Sequence, residues 1–161
     1  MVRGDGVLRV GRGDLVTEAE WNYAATGGDQ QRAYPWSSPA GALVPLDGSH
    51  ASFNDGTGCV GDGMAACALT DLVAVGTKPM GDGRWGHSDL AGNMWEWTLD
   101  SFAAYASECR DCANLTAASN RVLRSGSFGS GAAYLRTGFR NNADPATRFY
   151  SFGVRCARSA P

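Results

Sequence analysis

Histidine is nearly missing from this chain of 161 residues: only His50 and His87 occur, too few for a multi-histidine iron site. No stretch approaches the roughly 18 consecutive apolar residues that a membrane span requires, so the expectation is a soluble protein with no membrane partner. An excess of one charge is also absent. Fourteen basic residues stand against 16 acidic ones for a net charge of −2, which argues against a nucleic-acid partner. No G-x-S-x-G elbow accompanies the serines, and nothing marks a hydrolase. Zinc needs four ligands, and the single C-x-x-C at Cys109 and Cys112 has neither a second such pair nor a histidine pair beside it.

Glycine, by contrast, is abundant at 22 residues, roughly twice average usage, and signals turns and irregular backbone. Residues 1–16 read as an irregular N-terminal extension, and residues 17–161 as one domain. Thr17-Glu18-Ala19-Glu20 is a capping box, opening a short helix whose Trp21, Ala24 and Ala25 share a face and which Gly27-Gly28 ends. Val73 and Val75 suggest a short strand. Residues 94–100 alternate, with Trp95, Trp97 and Leu99 on one side and Glu96, Thr98 and Asp100 on the other. Residues 121–124 and 152–156 read as strands paired with each other. The expectation is an α+β domain, loop-rich, with few short strands and one or two helices.

Five cysteines occur. Cys59 with Cys67, and Cys109 with Cys112, suggest two local disulfides, with Cys156 left as a buried thiol; a redox or metal role for Cys109 and Cys112 stays open. Two such pairs suit an extracellular or periplasmic compartment. Residues 1–9 lack the apolar core of a signal peptide, which points instead to the cytoplasm. A start placed inside a longer secreted chain reconciles the two.

Four segments in order carry a resemblance: Thr17-Glu18-Ala19-Glu20-Trp21-Asn22-Tyr23-Ala24-Ala25, Asp89-Leu90-Ala91-Gly92-Asn93-Met94-Trp95-Glu96-Trp97, Arg121-Val122-Leu123-Arg124-Ser125-Gly126-Ser127-Phe128, and Phe152-Gly153-Val154-Arg155-Cys156-Ala157. Together they resemble the formylglycine-generating enzyme, or sulfatase-modifying factor, family. The resemblance implies a C-type-lectin-like fold, and nothing here matches the family portion that precedes the first segment. Members of the family oxidise a cysteine of a client sulfatase to formylglycine, using oxygen and a copper ion held by two cysteines. Those cysteines stand five apart, just after the Gly-Gly-Ser-aromatic turn. Carried onto this chain, the positions are Ser130 and Leu135. A protonated hydroxyl and an alkyl group cannot replace thiolates on Cu(I). The sequence therefore predicts no catalytic residues and no copper.

The same resemblance implies a calcium ion held by the side chains of Asp89 and Glu96 and the carbonyls of Gly92 and Met94, a donor set of hard oxygens. The alternative is that Glu96 pairs with an arginine and Asp89 caps a turn. A further family calcium site would start at Ala51-Ser52-Phe53, with Asp55, Asp62 or Asp71 downstream. From residue 121 onward, seven arginines face a single acid, Asp144. They either fold back onto Glu18, Glu20, Glu96 and Asp100, or line a basic, aromatic groove formed by Ser127, Tyr134, Arg136, Phe139 and Arg140 for a peptide, protein or anionic glycan. The combined expectation is a calcium-stabilised, disulfide-bearing binding or accessory module, a pseudoenzyme of this family. The alternatives are a divergent oxidase and an inactive truncated copy.

Overall fold

A computed structural model describes residues 9–10, 13–64, 66–105 and 112–158. Helix α1 (Glu18–Thr26) forms where the capping box places it. The Thr17 hydroxyl accepts from the Glu20 amide at 3.1 Å, and the Glu20 carboxylate accepts from the Thr17 amide at 2.8 Å. Gly27 ends the helix in the left-handed region at φ 68°, its N–H donating to the Tyr23 carbonyl. Trp21 and Ala25 are buried against Val16 and Leu90. A second apolar cluster gathers Tyr34, Ala51, Phe53, Ala91 and Leu135 under the loops.

Two small sheets complete the framework. One joins β1 (Arg9–Val10), β2 (Gly13–Leu15) and β7 (Cys156–Ala157). The other has the order β5-β4-β3-β6, from β3 (Trp95–Ser101), β4 (Arg121–Arg124), β5 (Asn141–Ala143) and β6 (Phe152–Val154). Strand β3 is central: antiparallel to β4, with Trp97 opposite Leu123, and parallel to β6, with Trp95 opposite Phe152. Only Arg155 separates β6 from β7, so one residue connects the two sheets.

Four local expectations change. Residues 13–15 are not irregular, because β2 pairs with β7 and buries Leu15. Strands β4 and β6 are not neighbours, because β3 lies between them and takes one on each edge. Val73 starts no strand, since its N–H and carbonyl are bonded by the Asn93 side chain at 3.0 and 3.1 Å. Cys156 is free but exposed, because it lies in β7 at the edge of the three-stranded sheet.

The alternation of β3 is real, yet its polar side faces inward. Glu96, Thr98 and Asp100 are all buried, and α1 reaches them: the Trp21 indole N–H donates to Glu96 at 2.7 Å, and the Glu18 amide to Asp100 at 2.6 Å. Trp95 and Trp97 turn to the opposite face.

Candidate functional site

The turn after β4 places the two positions that the resemblance assigns to copper. The Ser130 hydroxyl accepts from the Ser127 amide at 3.0 Å and lies 3.1 Å from the Ser127 hydroxyl, while its carbonyl accepts from the Asn54 amide at 2.9 Å. Ser130 thus closes a turn. Leu135 is completely buried within the Tyr34–Phe53 cluster and fills core volume. A hydroxyl committed to its own turn and an alkyl group in the core do not fit a soft Cu(I) ion.

Asp89, Gly92, Met94 and Glu96 all line one open cavity of about 130 Å³, which Gly153 and Arg155 also line. Arg155 grips Glu96 with two parallel bonds, Nη2 to Oε1 at 2.7 Å and Nε to Oε2 at 3.0 Å, and its Nη2 also donates to the carbonyls of Ser88 and Asp89. The Asp89 side chain accepts from the Gly76 amide at 2.7 Å. Burial pushes the Glu96 carboxyl upward, the Arg155 charge opposes this, and the nearby Asp89 charge adds to the upward push. Both Glu96 oxygens thus accept from N–H groups, Oε1 from Arg155 and Oε2 from Arg155 and the Trp21 indole, which is the arginine pairing set against calcium as the alternative. A cation reaching this carboxylate would have to displace the guanidinium. The backbone converges here because Gly92 takes φ +81° and a Cβ on it would stand 2.3 Å from the Ser52 carbonyl oxygen.

The second family calcium position is chemically different. Of its three candidate carboxylates, Asp71 is the one beside Ser52, whose hydroxyl donates to the Asp71 carbonyl at 2.5 Å. The buried Asp71 carboxylate accepts from the amides of Gly61, Asp62 and Ala68. Backbone N–H groups surround it on both oxygens, an anion-holding arrangement that does not fit a cation. Asp55 and Asp62 instead hold their own turns.

The arginine-rich segment divides. Arg124 and Arg140 converge on buried Glu18, Arg140 through bonds of 2.6 and 2.7 Å and Arg124 through one of 3.2 Å. Arg124 also stacks over the Trp21 ring at 4.7 Å. Burial presses the Arg124 pKa down, against the charge of Glu18. Within the expected groove, Tyr134 and Phe139 meet at 4.8 Å and both contact Trp95. Arg136 is exposed and Ser127 buried. Arg140 is not with them, since its guanidinium is held at Glu18 and over the Phe102 and Tyr105 rings.

Cys59 and Cys67 form a disulfide. The Cys109–Cys112 pairing lies outside the described residues, because Cys109 does. His50 is buried beside Asp47, its Nδ1 2.9 Å from the carboxylate. Sequence reasoning missed Phe149, Tyr150 and Phe152, which extend the ring cluster. Three aromatics within residues 149–152 were the available signal.

A capped helix laid over the polar face of a small mixed sheet, with loops supplying most of the core, is a formylglycine-generating-enzyme-like fold. Treponema denticola variable protein 1 superposes with a TM-score of 0.64 at 27% identity, over 91% of this chain and 48% of that one. Residues 9–160 match the sulfatase-modifying factor enzyme 1-like domain, and the chain belongs to that family. It is 33% identical to the formylglycine-generating enzyme of Streptomyces coelicolor, covering 91% of this chain and 46% of the relative. Identity to the mouse formylglycine-generating enzyme is 31%, over 89% and 38% respectively. The chain therefore spans less than half the length of these curated relatives. Its relatives also include the mouse inactive C-alpha-formylglycine-generating enzyme 2, at 29% identity, and a hercynine oxygenase of Mycolicibacterium thermoresistibile, at 31%.

Proposed function

We propose that this chain is a binding or accessory domain of the sulfatase-modifying factor family that does not carry out copper-dependent formylglycine formation. The observation behind this reading is the pair Ser130 and Leu135: one closes a turn and the other fills the core. Neither supplies a thiolate. That a relative is named as an inactive form supports a non-oxidase role within the family. Calcium at Asp89, Glu96, Gly92 and Met94 would be structural, and to reach Glu96 it would have to displace Arg155, which now ties the loop before β3 to the strand. The Cys59–Cys67 disulfide supports an oxidising compartment.

Incubation with Cu(I), oxygen and a sulfatase-motif peptide, followed by mass spectrometry, tests the reading. The expected result is an unmodified cysteine. Aldehyde formed in multiple turnovers overturns it, in favour of a divergent oxidase. Metal analysis of the purified protein gives the parallel readout, with calcium and no stoichiometric copper or iron expected.

A further inference from the structure

The four-stranded sheet has two unlike faces. One is covered by α1 and tied by Glu18, Arg124, Glu96 and Asp100. The other carries Trp95 and Trp97 of β3 and Phe152 of β6, and further rings lie over it. Phe139 and Tyr134 meet Trp95 at 6.1 and 6.3 Å. Phe152 meets Trp97 and Phe149 at 5.4 Å each, Phe149 meets Tyr150 at 4.4 Å, and Tyr150 meets Phe128 at 5.9 Å. Nothing among the described residues covers this layer fully, since Tyr134, Phe149 and Tyr150 remain 45%, 51% and 58% exposed. The rings form two sets, one on Trp95 and one on Trp97 and Phe152, whose anchors share one face of β3 and its parallel neighbour β6, and exposed rings of this size at both sets mark an interaction surface.

The charges on the same segments indicate what kind of partner fits. Of the seven arginines from residue 121 onward, Arg124, Arg140 and Arg155 are paired with Glu18 and Glu96, and Arg121 donates to the Leu99 carbonyl. Arg136, Arg148 and Arg158 are exposed and have no ion-pair partner among the described residues. In the sequence, Arg136 lies two residues from Tyr134 and Arg148 next to Phe149. The one carboxylate of this stretch, Asp144, accepts from the Ala146 amide in its own turn.

We propose that this aromatic face, with Arg136 and Arg148, docks an acidic polypeptide segment of a partner protein. The proposal rests on the binding-module reading above and names the surface that would do the binding. Trp, Tyr and Arg are the side chains that dominate protein interfaces, and the two guanidinium forks suit carboxylates. A second copy of this chain is disfavoured because a symmetric contact would bring like charges together. A sugar stacks on an isolated flat ring. Here neighbouring rings stand 33–83° apart, a rugged surface that side chains fill better.

The test is selection of a displayed random dodecapeptide library on the intact protein, followed by affinity measurement with the synthesised winners. Winners should combine apolar residues with Asp or Glu. Tyr150→Ala and Phe149→Ala should each weaken binding about tenfold or more. Both residues are more than half exposed, so an unchanged melting temperature confirms the fold. The double variant Arg136→Glu, Arg148→Glu should move the selection toward basic peptides. No enrichment, winners without acidic bias, or affinity indifferent to all these substitutions overturns the proposal. So does self-association abolished by Tyr150→Ala, which gives the face to a second copy, or heparin binding that needs the arginines and not the rings. Aldehyde formation in the copper assay, with acidic-peptide selection intact, would sink the non-oxidase reading and leave this surface standing.

Discussion

Replacing Glu18 with glutamine should be among the most damaging single substitutions in the protein. The side chain is nearly inaccessible, at 5% exposed, and faces Arg124 at 0% and Arg140 at 17%. Glutamine keeps the shape but removes the carboxylate that both guanidinium groups bond, and donates N–H where both arginines also donate. Breaking a buried pair from one side costs about 3–5 kcal/mol. The Asp100 contact is untouched, because it uses the Glu18 backbone amide. Urea unfolding followed by tryptophan fluorescence reads the loss directly. With a slope of about 2 kcal/mol/M, the midpoint should fall by about 2 M, and the melting temperature by about 10 °C. The double variant Glu18→Gln, Arg124→Met should lose at least about 1 kcal/mol less than the sum of the two singles, since Arg140 can turn to water once alone. A Glu18→Gln cost below about 1 kcal/mol, or simple additivity, would refute the claim that this cluster anchors α1 to the sheet.

Three further outcomes are expected. Saturating calcium should raise the melting temperature by several degrees, roughly what 100-fold excess over Kd supplies, and Asp89→Ala should abolish the rise, as differential scanning fluorimetry with and without EDTA will show. Gly92→Ala should destabilise by at least about 2 kcal/mol in the same urea assay, because φ is +81° and the new Cβ would stand 2.3 Å from a carbonyl oxygen. Asp47 is held well below the usual carboxylate range, first by the Ser49 side chain and then by His50. Its contribution is present above the unfolded pKa of about 4 and is lost as pH falls through the folded value. At 56% side-chain exposure it is worth under about 1 kcal/mol, so Asp47→Ala should lower the melting temperature slightly at pH 6 and converge with the parent in strong acid.

The helix was legible to the residue because its start and stop are both local chemistry: a hydroxyl, a carboxylate three residues on, and a glycine able to take positive φ. The alternation of β3 was legible too. Which side faced inward was not. Hydropathy alone would bury Trp95 and expose Glu96 and Asp100; Trp95 is buried, but so are both carboxylates, which Arg155 and α1 compensate from positions 59 to 82 residues away. The same long-range compensation hid the true neighbour of Arg140, which the groove reading placed with Phe139. Val73 misled for a related reason: a side-chain amide twenty residues on completed its backbone bonds in place of a strand. By contrast, that Asp89, Gly92, Met94 and Glu96 line one cavity was expected from the family resemblance of their segment, not from hydropathy or periodicity.

Arg155 has a mechanical role as well as an electrostatic one. It is the sole residue between β6 and β7, and its side chain is clamped to Glu96 and to the loop at Ser88 and Asp89. A hinge needs a joint free to rotate, and this joint is bolted. The terminal strand, the central strand and the loop ahead of it must therefore travel as one piece, so a load placed on the outer rings is passed to the whole framework and not absorbed by local bending.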